Sequence, residues 1–142
     1  MPLNVGNTWV YSNSKRVYND TIYVSGTTKL NGETVYTINN NAFFYKDGAL
    51  YTFLVNNPST TPQVIIPKNP VLGQTWYVYG NKWKLVEKNV SIRVPAGTFS
   101  CYLTHITGEN EYNVYWANGK GFIMVDDISN KIRYQLEYIK LY

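Results

Sequence analysis

Cys101 and His105 are the chain's one cysteine and one histidine, the residue types from which a nucleophile and its base are often built. Both lie in Phe99-Ser-Cys-Tyr-Leu-Thr-His105, where Phe99, Cys101 and Leu103 alternate with Ser100, Tyr102 and Thr104. That period of two reads as one strand. Four residues of strand span about 13 Å, whereas a working Cys–His pair needs contact at about 3 Å. The pair therefore reads as a core cysteine, acting as a small hydrophobe beside Phe99 and Leu103, and a histidine at a strand end. A serine working with His105 and Asp126 or Asp127 finds no Gly-x-Ser-x-Gly elbow to carry it. No catalytic residue is assigned.

Metal chemistry fares no better. One histidine and one cysteine cannot make a structural zinc site. Glu109 and Glu111 occupy one turn and Asp126 and Asp127 another, so four carboxylates could gather round Ca²⁺ if the turns share an end of the sheet. The spacing of an EF-hand loop is missing, and solvated turn acids are the expectation. Nothing selects a carboxylate pair at the roughly 5–9 Å that glycoside hydrolysis requires. No metal and no cofactor is expected.

The aromatic residues are the remaining candidates. Phe, Trp and Tyr make up 16% of the chain, with 14 tyrosines. Trp9, Trp76, Trp83, Trp116 and Tyr115 could line a concave sheet, where rings stack on sugars or enclose an apolar ligand. With modest leucine content, most rings must instead fill the core. The net charge of +4 is mild and scattered. Lys82, Lys84 and Lys88 beside Trp83 form the nearest thing to a basic stripe, and they read better as a lysine-protected edge strand than as a nucleic-acid surface.

The elements that must position these residues are all strands. The 142 residues are long enough for one domain with a sizeable core, taken here as a single β domain over 1–142. One cysteine excludes an intrachain disulfide, and no apolar run approaches membrane-spanning length. Val90, Ile92 and Val94 lead into Val94-Pro95-Ala96-Gly97, a turn with proline where φ must be near −65° and glycine where φ can be positive. This hairpin is expected at the centre of the sheet. Leu30-Asn31-Gly32-Glu33 and Lys46-Asp47-Gly48-Ala49 are Asx-Gly hairpin turns, and Gly80-Asn81 suits a type II′ turn.

Residues 56–70 hold four of the six prolines and read as a long loop crossed by Val64–Ile66. Gly73-Gln-Thr-Trp76-Tyr-Val-Tyr79 echoes Gly6-Asn-Thr-Trp9-Val-Tyr11, either a duplicated half-sheet or, as favoured here, one local solution used twice. After Ile132-Arg-Tyr-Gln-Leu-Glu-Tyr138, Ile139 and Leu141 fall on the opposite phase, so either a bulge near Tyr138-Ile139 restores them to the core or both faces there are buried. No segment carries a 3.6-residue apolar period. The expectation is an all-β, strongly curved antiparallel meander of ten or eleven strands, barrel-like or a half-barrel, with essentially no helix. The alternative is a Greek-key sandwich, for which the 56–70 loop is long enough to cross between sheets. Adjacent strands twist by about 20–25°, so so long a sheet cannot stay flat.

Three phrases in order are Pro2-Leu3-x-x-Gly6-Asn7-x-Trp9-x-Tyr11, Val94-Pro95-Ala96-Gly97-Thr98-Phe99, and Tyr115-Trp116-Ala117 with Gly121-Phe122-Ile123-Met124-Val125. Together they resemble a group of bacterial extracytoplasmic proteins, often lipoproteins, of unknown function. The insert Asn118-Gly119-Lys120 lengthens the last turn relative to that pattern. The resemblance implies an exported, non-enzymatic envelope or secreted domain, touching a membrane only through a lipidated cysteine upstream of Met1. Its implied partner is an envelope protein or a glycan, with no nucleic acid.

Overall fold

Alternating apolar residues separated by tight turns produce twelve strands in the computed structural model, which describes residues 1–30, 32–39, 41–54 and 61–142, without the Leu54 side chain. They are β1 (Thr8–Asn13), β2 (Asp20–Leu30), β3 (Glu33–Ile38), β4 (Asn41–Lys46), β5 (Ala49–Leu54), β6 (Gln63–Ile66), β7 (Thr75–Val78), β8 (Asn81–Val94), β9 (Gly97–Thr107), β10 (Tyr112–Ala117), β11 (Gly121–Asp127) and β12 (Ile132–Lys140). No helix occurs among the described residues. All twelve lie in one antiparallel sheet, ordered β6-β5-β4-β3-β2-β1-β12-β11-β10-β9-β8-β7. The curved meander is there, with one or two strands more than the sequence pattern counted.

Its middle is not the β8–β9 hairpin. The first and last strands meet there, Thr8 opposite Lys140 and Trp9 opposite Ile139, and β8 and β9 stand second and third from one end. Length and clean alternation make β8 and β9 prominent in sequence, but position is set by the non-local β1–β12 pairing. The hairpin tip still reaches the middle, where the Ala96 N–H donates to the Leu136 carbonyl at 3.0 Å. The termini are tied alongside, with the Asn4 side chain donating to Tyr142 O at 2.7 Å and the Tyr142 N–H donating to Asn7 Oδ1 at 2.7 Å.

The ends of the sheet, β6 and β7, face each other and nearly close the ring. Among the described residues the bonds across them are made by side chains: the Trp76 indole donates to Ile65 O at 2.9 Å, and the Tyr79 hydroxyl reaches Thr52 O at 3.4 Å. The first is a sound hydrogen bond and the second is at the weak limit.

Turn chemistry explains the reversals. Asp47 and Gly48 both take positive φ (52° and 81°), the type I′ form that an Asx-Gly pair favours. The β7–β8 turn differs from expectation. Val78 pairs with Asn81, so its two residues are Tyr79 and Gly80, both left-handed, rather than Gly80-Asn81. This turn puts β7 outside β8, so Lys82 and Lys84 sit on a strand bonded on both sides; the edge reading holds for neither. The bulge in β12 falls at Glu137, because Val10 pairs with Tyr138 and Tyr11 with Leu136. Leu136 before the bulge stays fully buried, Tyr138 after it turns outward, and Ile139 and Leu141 pack on the core. Asn31, Asn40 and residues 55–60 lie outside the described residues.

The echoed phrases occupy matching places. Gly6 N–H bonds Val24 O as Gly73 N–H bonds Leu85 O, Val24 N–H bonds Asn7 O as Leu85 N–H bonds Gln74 O, and Asn7 N–H bonds Asn4 O as Gln74 N–H bonds Val71 O. Each opens a run of six strands whose fourth reversal turns on an Asx-Gly pair, Asp47-Gly48 in one and Asn118-Gly119 in the other. The likeness thus extends past the phrase to the strand order.

Candidate functional site

The five aromatic candidates do not share one surface. Trp9 is fully buried and Trp116 is 3% exposed, and both are core residues. The Trp9 indole donates to Lys120 O at 2.7 Å, and that of Trp116 donates to Thr104 Oγ1 at 2.9 Å. Trp76 and Trp83, directly opposite on β7 and β8, lean on each other with ring centroids 6.2 Å apart. Tyr115, half-buried on β10, belongs to the packing of the principal core. Its hydroxyl is harder to ionise than usual, first through burial and then through the Asp126 carboxylate. Trp83 also alternates with Lys82 and Lys84, so its ring lies on the other face of β8 from those ammonium groups.

Cys101 and His105 remain apart on β9. Burial pushes the Cys101 thiol up to about 11, away from the thiolate that nucleophilic chemistry needs. Both nitrogens of His105 are engaged: Nδ1 with Asn113 Oδ1 at 2.7 Å and Nε2 with Glu111 Oε1 at 3.0 Å. A carboxylate is thus at hand, but no ring nitrogen is left to take a proton from a hydroxyl.

The acid-bearing turns do share an end. The Glu111 N–H bonds Ser129 Oγ at 2.9 Å, and the Ile128 N–H bonds Glu111 O at 2.9 Å. Their carboxylates nevertheless turn to separate partners. Glu111 holds His105, Asp126 takes both arms of Arg133 at 2.6 and 3.0 Å, and Asp127 accepts from the backbone and side chain of Asn130. No group of three metal-ligating side chains forms among the described residues.

The opposite end holds a cavity. In a meander, every turn after an even-numbered strand lies at the same end, which brings together the β4–β5 turn, the β6–β7 connection and the β10–β11 turn. Between them is a space of about 170 Å³ lined by Tyr45, Asn69, Tyr102, Trp116, Asn118 and Gly119. Met1 forms part of the wall, its amine donating to the Tyr45 hydroxyl at 2.8 Å and its carbonyl accepting from that hydroxyl. Tyr102 stacks on Trp116 with centroids 4.3 Å apart and planes within 17°. The Asn118 amide reaches the Tyr102 hydroxyl only at 3.4 Å.

Of the sequence candidates only Trp116 touches this cavity; Tyr45, Asn69, Tyr102 and Asn118 were not singled out. The Asp47-Gly48 turn and the Asn118-Gly119-Lys120 insert were visible, but their meeting depends on ring closure.

No family model matches the chain, and no curated protein matches it. Among solved structures the chain resembles a protein of Bacteroides fragilis described as exported with a YmcC-like fold, at TM-score 0.57 and 12% identity, covering 99% of this chain and 98% of that one. It also resembles a protein of Parabacteroides distasonis described as a lipoprotein, at TM-score 0.57 and 15% identity, covering 99% and 97%. At such identities the likeness is one of fold, and it spans the whole sheet.

Proposed function

We propose that the chain is a single, non-catalytic β domain working outside the cytoplasm, secreted or carried in a bacterial envelope, with a structural or protein-interaction role. The observation that carries this reading is the use of the rings: Trp9 and Trp116, with Leu85, Ile123 and Leu136, fill the interior. The engaged state of both His105 nitrogens supports it on the chemical side. The whole-length likeness to proteins described as exported and as a lipoprotein supports the compartment. The test is fractionation of cells making the protein from its own gene. Recovery with envelope or medium is expected, and recovery with cytosol contradicts the reading.

A second reading, a glycan-binding module, is favoured by the cavity beside Tyr102 and Trp116. A lipid-like ligand is not favoured, because an acyl chain would need the interior that those side chains occupy.

A further inference from the structure

We infer that the cavity between the Asp47–Gly48 and Asn118–Gly119 turns is a subsite for one neutral sugar residue, free or at the end of a glycan. Size is the first argument. About 170 Å³ is well below the roughly 300–1,000 Å³ of pockets that take drug-sized ligands, and suits a single six-membered ring. Charge is the second. Among the described residues no lysine, arginine, histidine, aspartate or glutamate lines the cavity. The Met1 amine on its wall has its pKa lowered to about 6 by burial and donates to the Tyr45 hydroxyl, so near neutral pH the cavity holds no fixed charge for a phosphate, a carboxylate or a cation. Chemistry is the third. Tyr102, Asn69 and Asn118 carry phenol and amide groups able both to donate and to accept, while the Tyr45 hydroxyl already donates to the Met1 carbonyl and accepts from the Met1 amine. The Tyr102–Trp116 stack adds an apolar wall. A sugar presents the matching combination of hydroxyls on its rim and C–H groups on its faces.

Preorganisation is the fourth argument. The walls are short turns with little freedom to collapse. Asp47, Gly48, Asn69 and Gly119 all hold positive φ, Pro67 and Pro70 stiffen the β6–β7 side, and a Cβ on Gly119 would meet nothing within 4 Å. The loose 3.4 Å contact of the Asn118 amide leaves that group available to a ligand hydroxyl. The cavity also lies between the corresponding Asx-Gly turns of the two six-strand runs, so each half contributes one wall.

This inference rests on the glycan-binding reading and is independent of the compartment; fractionation can succeed while it fails. The test is a ¹H–¹⁵N NMR titration of the full chain with neutral monosaccharides (glucose, galactose, mannose, fucose and N-acetylglucosamine), each to 100 mM, roughly a hundred times the millimolar dissociation constant expected of so small a ligand. Inorganic phosphate and decanoate serve as anionic and apolar controls. At least one sugar should give saturable shifts centred on Asn69, Asn118 and Gly119, and Asn118→Ala and Tyr102→Phe should each weaken it about five- to tenfold while keeping a dispersed spectrum. Three outcomes overturn the inference: no saturable shift with any sugar, shifts centred elsewhere, or affinity unchanged in both folded variants. Saturable binding of decanoate or phosphate in the cavity without a sugar would equally do so.

Discussion

The indole N–H of Trp9 donates to the carbonyl of Lys120 at 2.7 Å, fastening the strand that opens the sheet to the turn between β10 and β11. Trp9 is fully buried, so Trp9→Phe removes volume as well as the donor for that carbonyl. The expected cost is about 2–4 kcal/mol, read as a lower urea midpoint with the slope unchanged. A change below about 0.5 kcal/mol would show that neither the bond nor the packing matters.

Gly121 sits under the same ring. It holds φ +100°, and a Cβ there would lie 3.2 Å from Trp9 Nε1 and 3.6 Å from the Met1 side chain. Gly121→Ala therefore combines backbone strain with a forced shift of the indole, and should cost about 2–3 kcal/mol. Gly80 has φ +81° but nothing within 4 Å of a Cβ. Gly80→Ala should cost only about 1 kcal/mol, and equal losses at the two positions would refute the role given to Trp9.

Cys101 should be inert while the sheet is intact. It is 1% exposed, and burial pushes its thiol up to about 11. Iodoacetamide at pH 8 should label the native chain at least about a hundredfold more slowly than the guanidinium-unfolded chain, whose thiol is near the free value of about 8.5. Labelling at comparable rates would mean that the β9 core is open.

Alkali should unfold the protein early. The Tyr11 hydroxyl donates to Phe122 O at 2.7 Å, and burial raises its ionisation above the ordinary 10.0. Burial shifts Tyr45, Tyr79 and Tyr115 the same way. Above the unfolded value these groups lose their protons in the unfolded chain but keep them in the fold, so the unfolded state binds fewer protons and stability falls as pH rises. Below about pH 9 they contribute no slope. Denaturant titrations between pH 8 and 11.5 should show this fall, and Tyr11→Phe should make it shallower. Equal slopes for the variant and the parent would contradict the assignment to Tyr11.

Much of this sheet was legible because its reversals are local. Asp47-Gly48 forms the turn that its residue types prescribe, and Pro95-Ala96 closes β8 on β9 before Gly97. The out-of-phase Ile139 and Leu141 left a choice between a bulge and two buried faces, and the bulge is there, one residue from Tyr138. What the pattern could not convey was long-range. Nothing near Thr8 or Lys140 announces that they pair across the middle of the sheet. Tyr79 took a left-handed conformation that residue preferences give to glycine or asparagine, and the turn moved by one residue. Trp9 and Trp76 stand in the same phrase, yet one is fully buried and the other half-buried, because β1 has neighbours on both sides and β7 ends the sheet. The cavity was hidden for the same reason, since Tyr45 and Asn118 meet only once twelve strands have curled round.

The claim on which most depends is that the large indoles are spent on packing the interior, with only the edge of the Tyr102–Trp116 stack left to a cavity. Hydrogen exchange of the four indole N–H groups, followed in one NMR series, tests it directly. Trp9 and Trp116, buried and bonded to Lys120 O and Thr104 Oγ1, should exchange orders of magnitude more slowly than Trp83, whose indole has no acceptor among the described residues. If Trp9 and Trp116 exchange as fast as Trp83, the interior is wet and the account of this sheet is wrong.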